Sequence, residues 1–215
     1  MNIQLNQVIP IPLRDKIQQR TSDIWNNNVT FSKGQRVKIK APSGTGKTTL
    51  VHTLYKMRQD YSGTVQYDGN NLQSMPAAKL SEYRQQKVSV IFQDMRLFAN
   101  LTARENIELK RIMYKPIYDE KMIDQMAERL GVSHILKQTA YTCSYGEQQR
   151  IAIIRSLVQP FSWLMMDEPF SHLDHANTQK AADLIEEECT KRGAGFILTD
   201  LDEDENFAYT RRLLL

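Results

Sequence analysis

Apolar positions along the chain fall into short strand-like runs separated by longer helical stretches. Residues 2–9 and 29–40 read as strands, parted by a segment whose Pro10 and Pro12 end or edge the first one. Arg36-Val37-Lys38-Ile39-Lys40 alternates in strand fashion, and residues 49–57 then place Leu50, Val51 and Leu54 on one helical face. Residues 61–69 read as a strand closed by an Asp68-Gly69 turn. Short buried strands are predicted at 88–92, 163–166 and 196–199. From 95 to 136 the pattern turns helical, with residues 101–107 resembling a helix start. Met122, Met126 and Leu130 recur four apart on one face, a stripe read as core and not as a cofactor box. Residues 211–215 read as a final strand, or as a basic, apolar end near a membrane face. Strands alternating with helices predict an α/β fold whose mostly parallel sheet binds ligands at the carboxyl ends of its strands.

Chemistry enters at Ala41-Pro42-Ser43-Gly44-Thr45-Gly46-Lys47-Thr48-Thr49, set between a predicted strand and a predicted helix. Small residues there let backbone N–H groups converge on phosphate oxygens at the positive end of the helix. Lys47 reaches the outer phosphates in this reading, and the Thr48 hydroxyl ligates a magnesium ion. The usual motif begins with glycine, and Ala41 forbids the backbone angles that only glycine reaches. The run 163–166 then delivers Asp167 and Glu168 at its end. Asp167 can hold magnesium, and Glu168, pointing to the opposite face, can polarise a water for in-line attack on a γ-phosphate.

Composition adds bounds. The chain has 215 residues, 25% of them charged, with a net charge of +3 and no basic block, which argues against a nucleic-acid partner. Cys143 and Cys189 are too few for a disulfide framework or a metal site. With no leader-like start, and with the apolar run 151–166 broken by Arg155, Gln159 and Pro160, a soluble cytoplasmic chain is expected. No regulatory domain is expected beyond Leu215.

The motifs together resemble the ATP-binding cassette (ABC) ATPase family over nearly the whole chain. Ile91-Phe92-Gln93-Asp94 resembles its Q-loop, Cys143-Ser144-Tyr145-Gly146-Glu147-Gln148-Gln149-Arg150 its signature, and Ser171-His172-Leu173-Asp174 its D-loop. The intervals are 46, 51, 23 and 7 residues from Lys47 through Gln93, Ser144 and Asp167 to Asp174. The resemblance implies one domain, residues 1–215, with a P-loop NTPase core, an N-terminal antiparallel β-subdomain and an inserted α-helical subdomain at about 95–155. It implies ATP and magnesium as cofactors. Gln93 joins Lys47 and Glu168 in catalysis and Thr48 and Asp167 at the metal. Ser144, Gly146, Glu147 and Asp174 join residues 41–49 in holding ATP, the signature serving the ATP of a second cassette. Ser144 is suited to cap a helix whose exposed N–H groups accept an anion.

Residues 93–98 and 101–107 are similar to the lipoprotein-releasing, cell-division and macrolide-efflux subgroup, which implies an integral membrane partner and a place on the cytoplasmic face of the cell membrane. Met95, Leu97 and Phe98 are the expected anchors for that partner. Two other readings stand beside this one: a degenerate cassette that acts as a structural switch with slow or no hydrolysis, and a non-transport ABC ATPase.

Three departures qualify the resemblance. The family's histidine after the last core strand is absent: Thr199-Asp200-Leu201 stands there, by substitution or by deletion. An aspartate facing γ-phosphate repels it, so Asp200 is expected to turn away or sit behind magnesium. A lost γ-phosphate contact costs roughly 10²–10³ in turnover. Tyr145 replaces the first signature glycine, its ring either narrowing the partner's pocket or facing solvent. No aromatic precedes Trp25, which is expected in the second strand and in the core, with stacking on the base as the alternative.

Overall fold

The computed structural model describes residues 1–202 and 204–215. Strands β1 (Ile3–Pro10), β2 (Asn28–Phe31), β4 (Tyr61–Tyr67) and β5 (Asn70–Asn71) form an antiparallel sheet in the order β2-β1-β4-β5. Strands β3 (Arg36–Lys40), β6 (Val88–Ile91), β7 (Trp163–Asp167), β8 (Gly195–Asp200) and β9 (Arg211–Leu214) form a parallel sheet in the order β6-β7-β8-β3-β9. Of residues 211–215, Arg211–Leu214 form the strand, at the edge of the sheet and paired with β3.

The stretch 29–40 is two strands, not one. Gly34, at φ +81°, turns the chain out of the antiparallel sheet, and Gln35 closes the turn by accepting from Ser32 N–H at 2.9 Å. β2 and β3 thus belong to different sheets. The Asp68-Gly69 turn forms as expected. Both residues have positive φ, at 46° and 78°, the requirement of a tight hairpin that matches strand twist.

Helices α1 (Arg14–Gln18), α2 (Lys47–Leu54), α3 (Ala77–Gln86), α4 (Ala103–Arg111), α5 (Glu120–Arg129), α6 (Tyr145–Leu157) and α7 (His175–Arg192) complete the described elements, with three short 3₁₀ turns. α4 and α5 lie between β6 and β7 in sequence, as the helical insertion requires. α4 starts where the sequence places it, because Thr102 and Glu105 exchange capping hydrogen bonds. The Met stripe is core at Met126 and Leu130, while Met122 packs partly buried against them.

The central strands β7 and β8 are buried on both faces, and the alternating side chains of the parallel sheet feed two cores. Leu164, Met166, Phe196 and Leu198 join helices α4 to α7. Trp163, Met165, Ile197, Val37 and Ile39 join α2 and the antiparallel sheet. Leu50, Val51 and Leu54 of α2 are fully buried, and such side chains stabilise by about 1.5–3 kcal/mol each. That packing fixes the loop before α2 at the carboxyl end of β3.

Candidate functional site

The loop begins where β3 ends: Ala41 N–H donates to the Asp200 carbonyl at 2.8 Å, tying it to the neighbouring strand. Ala41 is fully buried and does not adopt positive φ, so alanine fits this position without strain. Gly44 and Gly46 do take the left-handed region, at +78° and +106°. The Thr45 hydroxyl donates to the Pro42 carbonyl at 2.7 Å and closes the loop. Gly46 starts α2 with no side-chain cap, which leaves first-turn N–H groups for a ligand.

Ser43, Gly44, Gly46, Lys47, Thr48, Thr49, Gln93 and Glu168 line a single cavity of about 290 Å³. Lys47 Nζ lies 3.3 Å from Glu168 Oε1 and donates to the Ala41 carbonyl at 3.1 Å. Gln93 Nε2 donates to Glu168 Oε2 at 3.1 Å. All three expected catalytic residues therefore meet, as do six of the nine residues of 41–49. Ala41, Pro42 and Thr45 shape the loop from behind.

Glu168 arrives by a different route from the alternation expected of a strand. β7 ends at Asp167, and Glu168 sits at φ +47°, a strained conformation for a side chain of this type. Its N–H donates to the Thr199 carbonyl at 3.0 Å, which holds the turn. Asp167 is fully buried. Its Oδ1 accepts from the Thr199 hydroxyl at 2.9 Å, and its Oδ2 has no hydrogen-bond partner among the described residues. An unpartnered buried carboxylate oxygen suits a hard cation. The Thr48 hydroxyl and the Gln93 amide oxygen belong to the same donor class, so the residues present fit magnesium.

The signature lies apart from this cavity. Ser144 caps α6 and exchanges hydrogen bonds with Glu147, whose Oε2 accepts from Ser144 N–H and Oγ, both at 2.8 Å. Those bonds hold the Glu147 carboxyl below its usual range. Gly146 is required by packing, since a Cβ there would come within 2.9 Å of the His172 carbonyl. Tyr145 is 68% exposed, its ring 5.4 Å from that of His172. Asp174 caps α7, its Oδ1 accepting from Asn177 N–H at 2.8 Å. None of Ser144, Gly146, Glu147 and Asp174 lines the cavity.

Gln149, which the sequence shows only as part of the signature match, has a structural role of its own. It is fully buried in α6, donates to the Glu168 carbonyl at 3.2 Å and accepts from His172 N–H at 2.9 Å. It joins the signature helix to the catalytic turn and the D-loop. A buried amide one turn after a helix cap is the signal that marks it.

Asp200 turns away from the cavity, one of the two outcomes expected. Its carboxylate lies 3.6 Å from Nζ of Lys38, which is fully buried and also pairs with Asp204. Trp25 is core, as favoured, but it precedes β2 instead of lying in it. The Ser22 hydroxyl accepts from the Ile24 and Trp25 N–H groups there, and Trp25 Nε1 donates to the Thr45 carbonyl at 3.1 Å. Of the three expected anchors, Met95 is buried and Leu97 packs against the helical core, so only Phe98, 61% exposed, presents itself.

The profile of the family described as ABC transporter matches residues 24–171. The chain belongs to that family. This ABC cassette is 31% identical over 190 residues to the glucose import ATP-binding protein GlcV of Saccharolobus solfataricus, covering 87% of this chain and 54% of that protein. It is 30% identical over 177 residues to the lipoprotein-releasing system ATP-binding protein LolD of Shewanella frigidimarina, covering 81% and 74%. The dimeric structure of MJ0796, a bacterial ABC transporter cassette, superposes on the ABC fold seen here with a TM-score of 0.77. At 23% identity, over 93% of this chain and 88% of that one, the likeness shows the fold. The expected P-loop core and its antiparallel sheet are thereby borne out.

Proposed function

We propose that this ABC cassette binds ATP with magnesium in the 290 Å³ cavity and hydrolyses it. The meeting of Lys47, Gln93 and Glu168 at the loop carries the reading. The uncapped first turn of α2 and Lys47 hold the phosphates. Thr48, Asp167 and Gln93 would hold magnesium, which supplies charge neutralisation on the β- and γ-phosphates. Lys47 exchanges its pairing with Glu168 for the γ-phosphate, and the released carboxylate polarises the attacking water.

The separation of Ser144, Gly146 and Asp174 from this cavity supports a second cassette that completes the site head to tail, as does the dimeric assembly named for MJ0796. No helix of the described residues is long and apolar enough to cross a membrane. An integral membrane subunit is the partner proposed to be driven, from the cytoplasmic face, on the likeness to ATP-binding proteins named for glucose import and lipoprotein release. Phe98, 61% exposed, is the expected anchor left to meet that subunit. GlcV is named for glucose import and LolD for lipoprotein release, so the cargo follows the membrane subunit.

A degenerate cassette that acts as a structural switch, with slow or no hydrolysis, is the second reading. It is favoured by Asp200, which faces Lys38 and leaves γ-phosphate without a ligand from the end of β8. Steady-state magnesium-dependent ATP hydrolysis, with Glu168→Gln alongside, separates the two. Turnover that vanishes in the variant supports hydrolysis at this site; bound ATP without turnover supports the switch.

A further inference from the structure

We infer that Lys38 is a positioning residue for the phosphate site: its buried charge holds the Asp200 carboxylate aside, given ATP binding at the loop as proposed above. Asp200 stands at the margin of that site. Its carbonyl accepts from Ala41 N–H at 2.8 Å, where the loop begins. The residue before it, Thr199, donates its hydroxyl to Asp167 Oδ1 at 2.9 Å and accepts from Glu168 N–H at 3.0 Å. The Asp200 side chain is thus one residue along the strand from the groups assigned to magnesium and to water. A carboxylate left free there repels a polyphosphate.

Two contacts keep Asp200 in place. Its Oδ1 accepts from Leu201 N–H at 2.7 Å, and its Oδ2 lies 3.6 Å from Lys38 Nζ. The first is a bond between neighbours at the exposed strand end. The second comes from a side chain fixed inside β3. Lys38 is fully buried, and its ammonium also pairs with Asp204, whose Oδ1 accepts from the Tyr209 hydroxyl at 2.5 Å. Asp204 and Tyr209 therefore set where the ammonium sits, and the ammonium sets where Asp200 points.

Strand register makes the pairing possible. Lys38 is opposite Leu198, and Lys40 is opposite Asp200, so Lys38 and Asp200 share one face of the sheet. Val37 and Ile39 face the other way, into the core around α2. Leu198, beside Lys38, belongs to the apolar core on the helical side. An apolar residue at position 38 would pack against it without the desolvation cost of an ammonium. The strand itself gives no reason for a lysine. The two carboxylates do, and of the two Asp200 is the one bonded to the phosphate loop.

Calorimetric titration of the full chain with ATP and magnesium tests this on two variants that leave Asp204 no buried charge to orphan. One is Lys38→Met with Asp204→Asn; the other adds Asp200→Asn. The first should bind ATP about tenfold more weakly than the wild type, and the second should return to within about threefold of it. The gap between them should shrink at about 1 M salt, as a charge effect does and a packing effect does not. Equal affinities in the two variants overturn this role of Lys38, which then serves stability alone. A gap that salt leaves unchanged overturns it too. Where the wild type binds ATP and both variants bind alike, the phosphate loop stands and only the role of Lys38 falls. A wild-type chain that binds no ATP overturns both.

Discussion

Lys47 and Glu168 face each other at 3.3 Å across the mouth of the phosphate loop, both almost wholly shielded from solvent. The lysine satisfies the residue proposed to activate water, and Gln93 satisfies its second oxygen. On the proposed reading, a phosphate that draws Lys47 away frees Glu168 to act on water. Glu168→Gln should keep ATP affinity within about threefold and lower turnover by at least about 10²-fold. It should also accumulate an ATP-bound dimer, read as a mass shift on gel filtration. Turnover at the wild-type rate would remove Glu168 from the chemistry.

Lys47→Ala removes both the phosphate contact and the Glu168 partner. ATP affinity should fall by at least about tenfold, the effect of one lost charge-assisted contact. Equilibrium binding of a fluorescent ATP analogue checks this, and unchanged affinity would sink the assignment of the loop.

Asp200→His should raise turnover at least about tenfold if position 200 is where a γ-phosphate ligand is missing. The substitution leaves Lys38 paired with Asp204, so the fold has a reason to tolerate it. Unchanged turnover, with the melting temperature retained, would mean that the strand end is remodelled and not merely substituted.

Lys38 is fully buried, and it holds two carboxylates, Asp200 at the end of β8 and Asp204 just after it. Lys38→Met should destabilise the fold by about 3 kcal/mol, because Asp204 is left partly buried without its cation. Lys38→Met with Asp204→Asn should recover much of that loss. The same group sets an acid limit. Burial alone would raise the Asp204 carboxyl, but hydrogen bonds from Lys38 and Tyr209 hold it below its ordinary value. A carboxyl lowered in the folded state stabilises fully above its unfolded pKa of about 4. That contribution is lost as pH falls through the folded value. Thermal melts below pH 4 should therefore flatten in Asp204→Asn.

Gly146→Ala places a Cβ within 2.9 Å of the His172 carbonyl. Backbone must shift, at a cost of about 1–3 kcal/mol. The melting temperature should drop, and ATP-driven dimerisation should weaken more than ATP binding does.

Most of the core was legible because both of its signals are local. Leu50, Val51 and Leu54 mark α2 by spacing, and the short runs at 163–166 and 196–199 mark strands buried on both faces. What escaped depended on single backbone angles or on partners far along the chain. Gly34 divides one apparent strand between two sheets through one positive φ. Glu168 reaches Lys47 through another, where strand alternation predicts a different direction. Asp200 turns to Lys38, 162 residues earlier, a pairing that exists only once β3 and β8 lie side by side. Met95 and Leu97 looked like anchors because their apolarity is visible in sequence, whereas their burial is a property of the assembled core.

Gln149 gives the cassette a mechanical property. Its buried amide is bonded on one side to the catalytic turn and on the other to the D-loop, while its backbone belongs to the signature helix. Three segments thus share one rigid joint. On the proposed reading, a partner that turns α6 would carry the Glu168 backbone with it through this one amide.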